Sequence, residues 1–141
     1  MRKMKKVSLI FASLVLLIAC TCQMAAAEEA EPRASLYLQN YGAHLSVDDS
    51  GLLDIDYNVV ATRISDYVGV SKIVIYKLSG SKVATITGTV RNGLLREDAR
   101  GHAGNYYYQG EPGETYFALL TMYAERDGGS DSKSYITNNA P

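Results

Sequence analysis

The segment from residue 105 to residue 137 constrains the fold more than any other part of this chain. It reads Asn-Tyr-Tyr-Tyr-Gln-Gly-Glu-Pro-Gly-Glu-Thr-Tyr-Phe-Ala-Leu-Leu-Thr-Met-Tyr-Ala, followed by a Gly-rich turn and Ser-Tyr-Ile-Thr. The Gly-Glu-Pro-Gly break predicts a corner, because Pro presets φ and Gly tolerates positive φ. From Tyr116 onward every second residue is apolar, which is the period of a strand with one face on a core. The pattern therefore predicts a tight corner followed by a long strand.

The residues after this corner resemble a known pattern. Residues 112–116 read Pro-Gly-Glu-Thr-Tyr, and apolar residues follow at 118, 120, 122 and 124. This resembles the Pro-Gly-Thr-x-Tyr-x-Val-x-Val-x-Ala stretch of fibronectin type III domains. In that family and in immunoglobulin-like sandwiches, the tyrosine hydroxyl bonds the upstream backbone, an arrangement called the tyrosine corner. The resemblance implies that Tyr116 is this structural tyrosine.

A second resemblance concerns the whole chain. A signal segment, one β-rich domain and a Tyr-x-Gly-x-Pro-Gly-x-x-Tyr corner resemble an uncharacterised family of small exported proteins of Gram-positive bacteria. That resemblance implies no activity.

Further strand patterns occur along the chain, separated by turn residues. They lie at 43–47, 53–61, 72–78, 82–87, 106–109, 115–124 and 132–137. The segment 62–71 lacks a clean period and is expected to cross between two sheets. Residues 88–104 are expected to form a long loop from which Leu94 and Leu95 plug the core. About seven strands predict an antiparallel immunoglobulin/fibronectin-III-like β-sandwich over residues 35–138, preceded by a helical signal peptide.

The N-terminus carries the features of an export signal. Four basic residues within 1–6 precede an uncharged apolar run at 7–19. Ala25-Ala26-Ala27 before Glu28 fits signal-peptidase cleavage, which gives a signal peptide over 1–27 and a disordered leader over 28–34. Leu17-Ile18-Ala19-Cys20 also resembles a bacterial lipobox, so lipidation at Cys20 is an alternative. We expect a secreted protein, with a cell-surface lipoprotein as the alternative; the mass of the mature N-terminus separates the two.

Charge excludes several classes of partner. Loss of residues 1–27 removes four of the fourteen basic residues and none of the fifteen acidic ones, leaving a net charge of −5 on 114 residues. Nucleic-acid binding and attraction to anionic lipid both need clustered positive charge, so neither is expected. Membrane contact is expected only through lipidated Cys20. Both cysteines, Cys20 and Cys22, leave with the signal, so a hydrophobic core alone must hold the domain.

Catalytic and metal-binding signals are weak. His44 and His102 are the only histidines, and no nucleophile motif stands near either. We therefore expect no enzymatic activity, no cofactor and no metal; a small extracellular enzyme is the alternative. Four aspartates crowd one turn and the following strand: Asp48, Asp49, Asp54 and Asp56. Their spacing lacks the EF-hand pattern, so they are expected to be solvated.

Three aromatic residues extend apolar character to the strand face that a sandwich usually leaves polar: Tyr107, Phe117 and Tyr123. Either another segment covers this face or it forms an exposed patch that binds something. Tyrosine stacks on sugar rings and also anchors protein contacts, so carbohydrate and protein ligands both stay open. The alternative is cross-strand aromatic pairing that only stabilises the sheet. We expect a noncatalytic exported binding or structural module with these residues as candidate ligand contacts.

Overall fold

The structure, a computed structural model, describes residues 35–141, which form one antiparallel six-stranded sheet. The strands are β1 (Leu38–Val47), β2 (Leu52–Lys77), β3 (Lys82–Thr87), β4 (Leu95–Gln109), β5 (Tyr116–Arg126) and β6 (Gly129–Ile136). The sheet curls into a half-barrel, so the all-β antiparallel class is confirmed. The expected signal peptide, the leader and Cys20 lie outside the described residues.

The 26-residue strand β2 organises this sheet. Along one edge it pairs with β1 and then with β5; along the other it pairs with β4 and then with β3. The sequence prediction of two strands joined by a crossing at 62–71 is wrong, because the chain stays in one strand there. Register shifts occur between Val60 and Ser65 and between Val70 and Lys72. Such bulges bend and twist a strand, so this segment curls one sheet instead of connecting two.

The long loop expected at 88–104 is also wrong for most of its length. Strand β4 begins at Leu95, which leaves only residues 88–94 outside the strands. Leu94 is 1% exposed and plugs the core as predicted, whereas Leu95 is only half-buried in β4. The Leu94 carbonyl accepts a hydrogen bond of 2.8 Å from Val70 N. The charged residues after Leu94 resemble a loop in sequence, but they belong to an edge strand, which can leave much of its surface exposed to water.

The core lies on the concave side of the curled sheet and contains the apolar residues of two strands that were predicted from sequence. The alternate residues from Tyr116 to Ala124 in β5 and from Leu53 to Ala61 in β2 are all at most 2% exposed. The β1–β2 and β2–β3 hairpins and the β5–β6 turn also form as predicted. Each of these elements has a clean two-residue period and a local partner, which is why sequence alone locates it.

The predicted corner brings the two ends of β2 close to one turn. Tyr116 is fully buried, and its hydroxyl accepts a hydrogen bond of 2.8 Å from Glu111 N. The Lys77 ammonium at the end of β2 donates to the Glu111 carboxylate at 2.6 Å. Gly110 N donates to Gly51 O at 2.8 Å, beside the start of β2. The turn after β4 therefore contacts both ends of the longest strand.

Strands β1 and β6 approach each other through side chains and not through a ladder. The Asn138 side chain accepts a hydrogen bond from Leu45 N at 3.0 Å and donates to Leu45 O at 2.9 Å. Tyr41 and Tyr135 pack edge to face with ring centroids 6.4 Å apart. The Asn138 amide thus mimics a strand partner for β1 and covers part of its free edge.

Asp131 fastens the first described residues to β6 and makes stability depend on pH. Its carboxylate accepts hydrogen bonds from the Ser35 hydroxyl at 2.5 Å and from Tyr37 N at 3.0 Å. The Ser35 hydroxyl is the main reason that the pKa of Asp131 lies below its ordinary value of 3.8. Because the pKa of Asp131 is lower in the folded protein than in the unfolded chain, its ionisation stabilises the fold. This stabilisation is complete at a pH above the unfolded-state pKa and is lost as the pH falls through the folded-state pKa.

We therefore expect Asp131→Asn to lower the free energy of unfolding by about 0.5–1 kcal/mol at neutral pH, because the contact is partly solvated. Urea titrations at neutral pH and near pH 3 should show the gap to the wild type narrowing in acid. Asp49→Asn, in an exposed turn, is the control and should change little at either pH. A gap that stays constant with pH would contradict this role of the carboxylate.

Candidate functional site

The structure places the three predicted contact residues in different environments. Tyr107 lies in β4 opposite Asp54, in the first half of β2. Phe117 and Tyr123 lie in β5 opposite Tyr76 and Gly69, in the second half of β2. The two β5 residues are six positions apart, which is about 20 Å along a strand. A single compact patch containing all three does not form.

Phe117 and Tyr123 both have local partners. The Phe117 ring stacks on Tyr76 with centroids 5.1 Å apart and an interplanar angle of 11°. The Tyr123 hydroxyl donates a hydrogen bond of 2.5 Å to the Glu125 carboxylate, which raises the pKa of Tyr123. Phe117 thus makes the cross-strand aromatic pair that the sequence left as an alternative. Both side chains are partly buried, so little of either ring is available to a ligand.

Tyr107 differs because its side chain is 59% exposed. Among the tyrosines and phenylalanines of residues 35–141, only Tyr107 is mostly exposed. Since alternate residues of β2 point into the core, the residues between them point outward, and Tyr107 shares that outer face. It therefore presents an open aromatic ring beside the polar side chains of β2.

The outer face around this ring is built by the registers of three strands. Across β1, β2 and β4, the aligned rows are Ser46–Asp54–Tyr107, His44–Asp56–Asn105 and Gly42–Asn58–Ala103. Asn105 Nδ2 donates a hydrogen bond of 2.7 Å to Asp54 Oδ1, which orients both groups beside the ring. We call the following residues the Tyr107 surface: Gly42, His44, Asp54, Asp56, Asn58, Asn105 and Tyr107.

A shallow depression of about 200 Å³ lies within this surface. Its lining includes Gly42, His44, Asp56 and Asn58. Nothing lies within 4 Å of the position that a Cβ on Gly42 would take, so the absence of a side chain there leaves the depression open. It is smaller than the pockets that enclose small-molecule ligands, which favours a ligand lying across the surface.

The chemistry of the Tyr107 surface is that of hydrogen bonding around one aromatic ring. Two carboxylates accept hydrogen bonds, and two carboxamides both donate and accept them. The sequence pattern predicts that Asp54 and Asp56 lie on a solvated strand face, and it does not distinguish Asn58 or Asn105 from other polar residues. The missing information was that β4 pairs with the first half of β2, because that register alone brings these residues beside Tyr107.

The two histidines lie in different surroundings in the described part of the chain. His102 Nε2 lies 2.5 Å from Gly93 O and 3.1 Å from the Tyr57 hydroxyl, which itself donates to Gly93 O at 2.8 Å. Burial raises the pKa of Tyr57 and keeps this hydroxyl protonated. His44 is exposed on β1. Within residues 35–141, no hydrogen bond joins either histidine to a serine or a carboxylate.

Residues 35–141 contain no group of three or more His, Cys, Asp or Glu side chains that could hold a metal ion. Asp48 instead shapes the β1–β2 turn, accepting hydrogen bonds from the Ser50 backbone and hydroxyl and from Leu52 N. The Ser50 hydroxyl is the main cause of the lowered pKa of Asp48. The Asp48 carboxylate therefore stabilises the β1–β2 turn through these hydrogen bonds.

The chain matches no family model, no curated protein and no solved structure in comparisons with known proteins. Among the described residues, no helix has the length and apolar character needed to cross a membrane.

Proposed function

We propose that this protein is a noncatalytic exported binding module, and that its Tyr107 surface binds an uncharged polysaccharide. The observation that carries the proposal is the 59% exposed Tyr107 ring lying in register with Asp54 and next to the Asn105–Asp54 hydrogen bond. An aromatic ring offers a flat apolar face for a sugar ring, and carboxylates and amides offer partners for its hydroxyl groups.

The neighbours of Tyr107 favour a carbohydrate over a protein ligand. Aromatic anchors at protein interfaces lie in desolvated pockets surrounded by contacts that exclude water. Tyr107 instead has Asp54 opposite it and Asn105 two residues before it, and both are polar. The half-buried carboxylate of Asp54 and the exposed carboxylate of Asp56 repel an anionic polymer, so the proposed ligand carries no negative charge.

Export and the absence of activity belong to the same proposal. Support for export comes from the signal-like segment at 1–27, with cleavage after Ala27 giving a secreted form and lipidation at Cys20 giving a surface-anchored form. Support for a noncatalytic role comes from His102, whose hydrogen bonds go to Tyr57 and to the Gly93 carbonyl. A distant relation to immunoglobulin-like and fibronectin type III domains stays a prediction, supported by the hydrogen bond between Tyr116 and Glu111 N.

The test measures retention of the purified processed protein on insoluble cellulose, chitin and starch. We expect retention on at least one of them, and Tyr107→Ala should weaken it about tenfold or more, as for an aromatic anchor. Tyr107→Phe keeps the ring and should retain most of the binding. Ile64→Ala removes a 66% exposed apolar side chain six positions beyond Asn58 along β2, about 20 Å from it, and is the matched control.

Asn58→Ala supplies a second variant on the same surface. It removes an exposed amide of the depression and should also weaken retention. If none of the three polysaccharides is retained, or if Tyr107→Ala binds as well as the wild type, the carbohydrate proposal fails.

A further inference from the structure

Strand β4 has a backbone edge that no other strand of residues 35–141 covers. It pairs with β2 along one side, and none of the remaining four strands contacts it. An edge of this kind presents unpaired N–H and C=O groups that can pair with another strand. The edge is long, because residues 101–109 are in continuous register with β2.

The hydrogen-bond pattern identifies which groups face outward. Gly110 N bonds Gly51 O, and the adjacent register pair is Leu52 with Gln109. Because bonding alternates along an antiparallel strand, the even residues from 102 to 108 bond β2. The odd residues from 101 to 109 therefore direct both their N–H and C=O groups to the free edge.

This edge lacks the features that usually prevent strands from pairing between molecules. Residues 101–109 read Gly-His-Ala-Gly-Asn-Tyr-Tyr-Tyr-Gln, with no Lys, Arg, Asp, Glu or Pro. Charged side chains and prolines are the common protection of an edge strand. Strand β6 carries Asp131 and Lys133, and β3 begins with Lys82. The uncharged part of β4 thus differs from β3 and β6. Strand β1 is also uncharged, but the Asn138 side chain bonds the Leu45 backbone on its free edge.

The same nine residues are sterically self-complementary. The residues before Asn105 are mostly small, and those after it are large. If two copies run antiparallel with a two-fold axis at Asn105, Gly104 faces Tyr106, Ala103 faces Tyr107, and Gly101 faces Gln109. An axis at Tyr107 would instead place Tyr106 of one copy opposite Tyr108 of the other, and the two Tyr107 side chains opposite each other. An axis at Ala103 would bring the charged residues Asp98 and Arg100 opposite tyrosines.

We propose that two copies of this chain pair through their β4 edges, antiparallel and in register about Asn105, to form a homodimer with one continuous sheet. The pairing satisfies the outward amides at residues 101–109 and covers the half-buried rings of Tyr106 and Tyr108. The interface is isologous, since each copy contributes the same edge. Dimerisation itself does not depend on the proposed polysaccharide function.

The dimer would also place two ligand surfaces side by side. Tyr107 of one copy lies opposite Ala103 of the other, so the two Tyr107 rings are about 14 Å apart along the strands. A polymer with repeating units could contact both rings, which raises the effective affinity without new contacts. This consequence rests on the proposed function.

Cysteine cross-linking tests the register. Asn105→Cys should form a disulfide-linked dimer on mild oxidation, because directly opposed residues of a hydrogen-bonded pair have Cα atoms about 5.5 Å apart. Ala103→Cys and Tyr107→Cys should each fail to cross-link alone and should cross-link when mixed. The wild-type chain, oxidised in parallel, controls for Cys20 and Cys22. Cross-linking in any other pattern overturns the proposed register.

Light scattering on the processed protein tests the assembly. The wild type should have the mass of two chains, and Ala103→Pro the mass of one. Because Ala103 N faces the free edge, proline there removes no hydrogen bond to β2, and circular dichroism should stay that of the wild type. A monomeric wild type, or a dimer that Ala103→Pro leaves intact, overturns the proposal. Asn58→Ala should weaken polysaccharide retention without changing the mass, which separates the two proposals.

Discussion

Gly69→Ala is expected to abolish the native fold or leave it barely populated. Gly69 lies in the bent part of β2 with φ +144, a conformation that side-chain-bearing residues rarely adopt. A Cβ at this position would lie 2.1 Å from the Leu94 carbonyl oxygen. That oxygen accepts the hydrogen bond from Val70 N that fixes the β3–β4 connection to β2. The added methyl group therefore collides with backbone that cannot move without losing this bond.

The expected loss is about 3 kcal/mol or more in the free energy of unfolding, which combines backbone strain with a displaced core residue. Small domains are stable by only about 5–15 kcal/mol, so this is a large share of the total. Urea denaturation followed by far-UV circular dichroism measures it. Gly42→Ala is the matched control, because a Cβ there meets nothing within 4 Å and φ is not positive.

The control should change the free energy of unfolding by less than about 0.5 kcal/mol, as exposed substitutions usually do. If Gly69→Ala is as stable as Gly42→Ala, the close approach of Leu94 to β2 is not required by the fold.

Sequence patterns located the strands whose alternation is clean. From Tyr116 in β5 and from Leu53 in β2, apolar residues recur every second position, and the structure buries all of them. These strands carry their information locally, because one face meets the core along their whole length. Their hairpin turns, such as residues 48–51, are local as well.

The curvature of the sheet could not be predicted from the sequence pattern. The segment 62–71 has no clean period because bulges change which face a residue points to, and a loop has no clean period either. Strand β4 was recognised only at its end, since Arg96, Glu97 and Asp98 are exposed and resemble loop residues. Both errors lie where strand identity depends on pairing with distant residues.

The choice among the three candidate contact residues also depends on strand pairing. Tyr107, Phe117 and Tyr123 are indistinguishable by alternation, yet within residues 35–141 only Tyr107 has neither a stacked ring nor a side-chain hydrogen bond, and only Tyr107 is mostly exposed. Phe117 stacks on Tyr76, and the Tyr123 hydroxyl donates a hydrogen bond to Glu125. The pairing of β5 with β2 brings Tyr76 opposite Phe117. The sequence could therefore name the candidates but could not choose among them.

Tyr116→Ala is expected to have the other large effect, because Tyr116 joins the core to the corner. Its ring is among the largest fully buried side chains. Its N–H and C=O exchange hydrogen bonds of 2.9 Å with Ala140, near the end of the chain. Gly110 packs so closely on the ring that a Cβ there would lie 2.9 Å from the tyrosine hydroxyl and 2.8 Å from Leu53 Cδ1. No neighbouring side chain can fill the space without moving this turn.

Removing the ring should cost about 3–5 kcal/mol, as for other large aromatic residues truncated in a core. Tyr116→Phe keeps the ring and removes only the acceptor for Glu111 N, so it should cost about 1 kcal/mol. Tyr107→Phe, which removes the hydroxyl of an exposed tyrosine, is the control and should be close to wild type. Urea midpoints rank the three variants. Equal stability of Tyr116→Phe and Tyr107→Phe would show that the corner hydrogen bond contributes nothing, whereas a small loss in Tyr116→Ala would contradict the buried position of the ring itself.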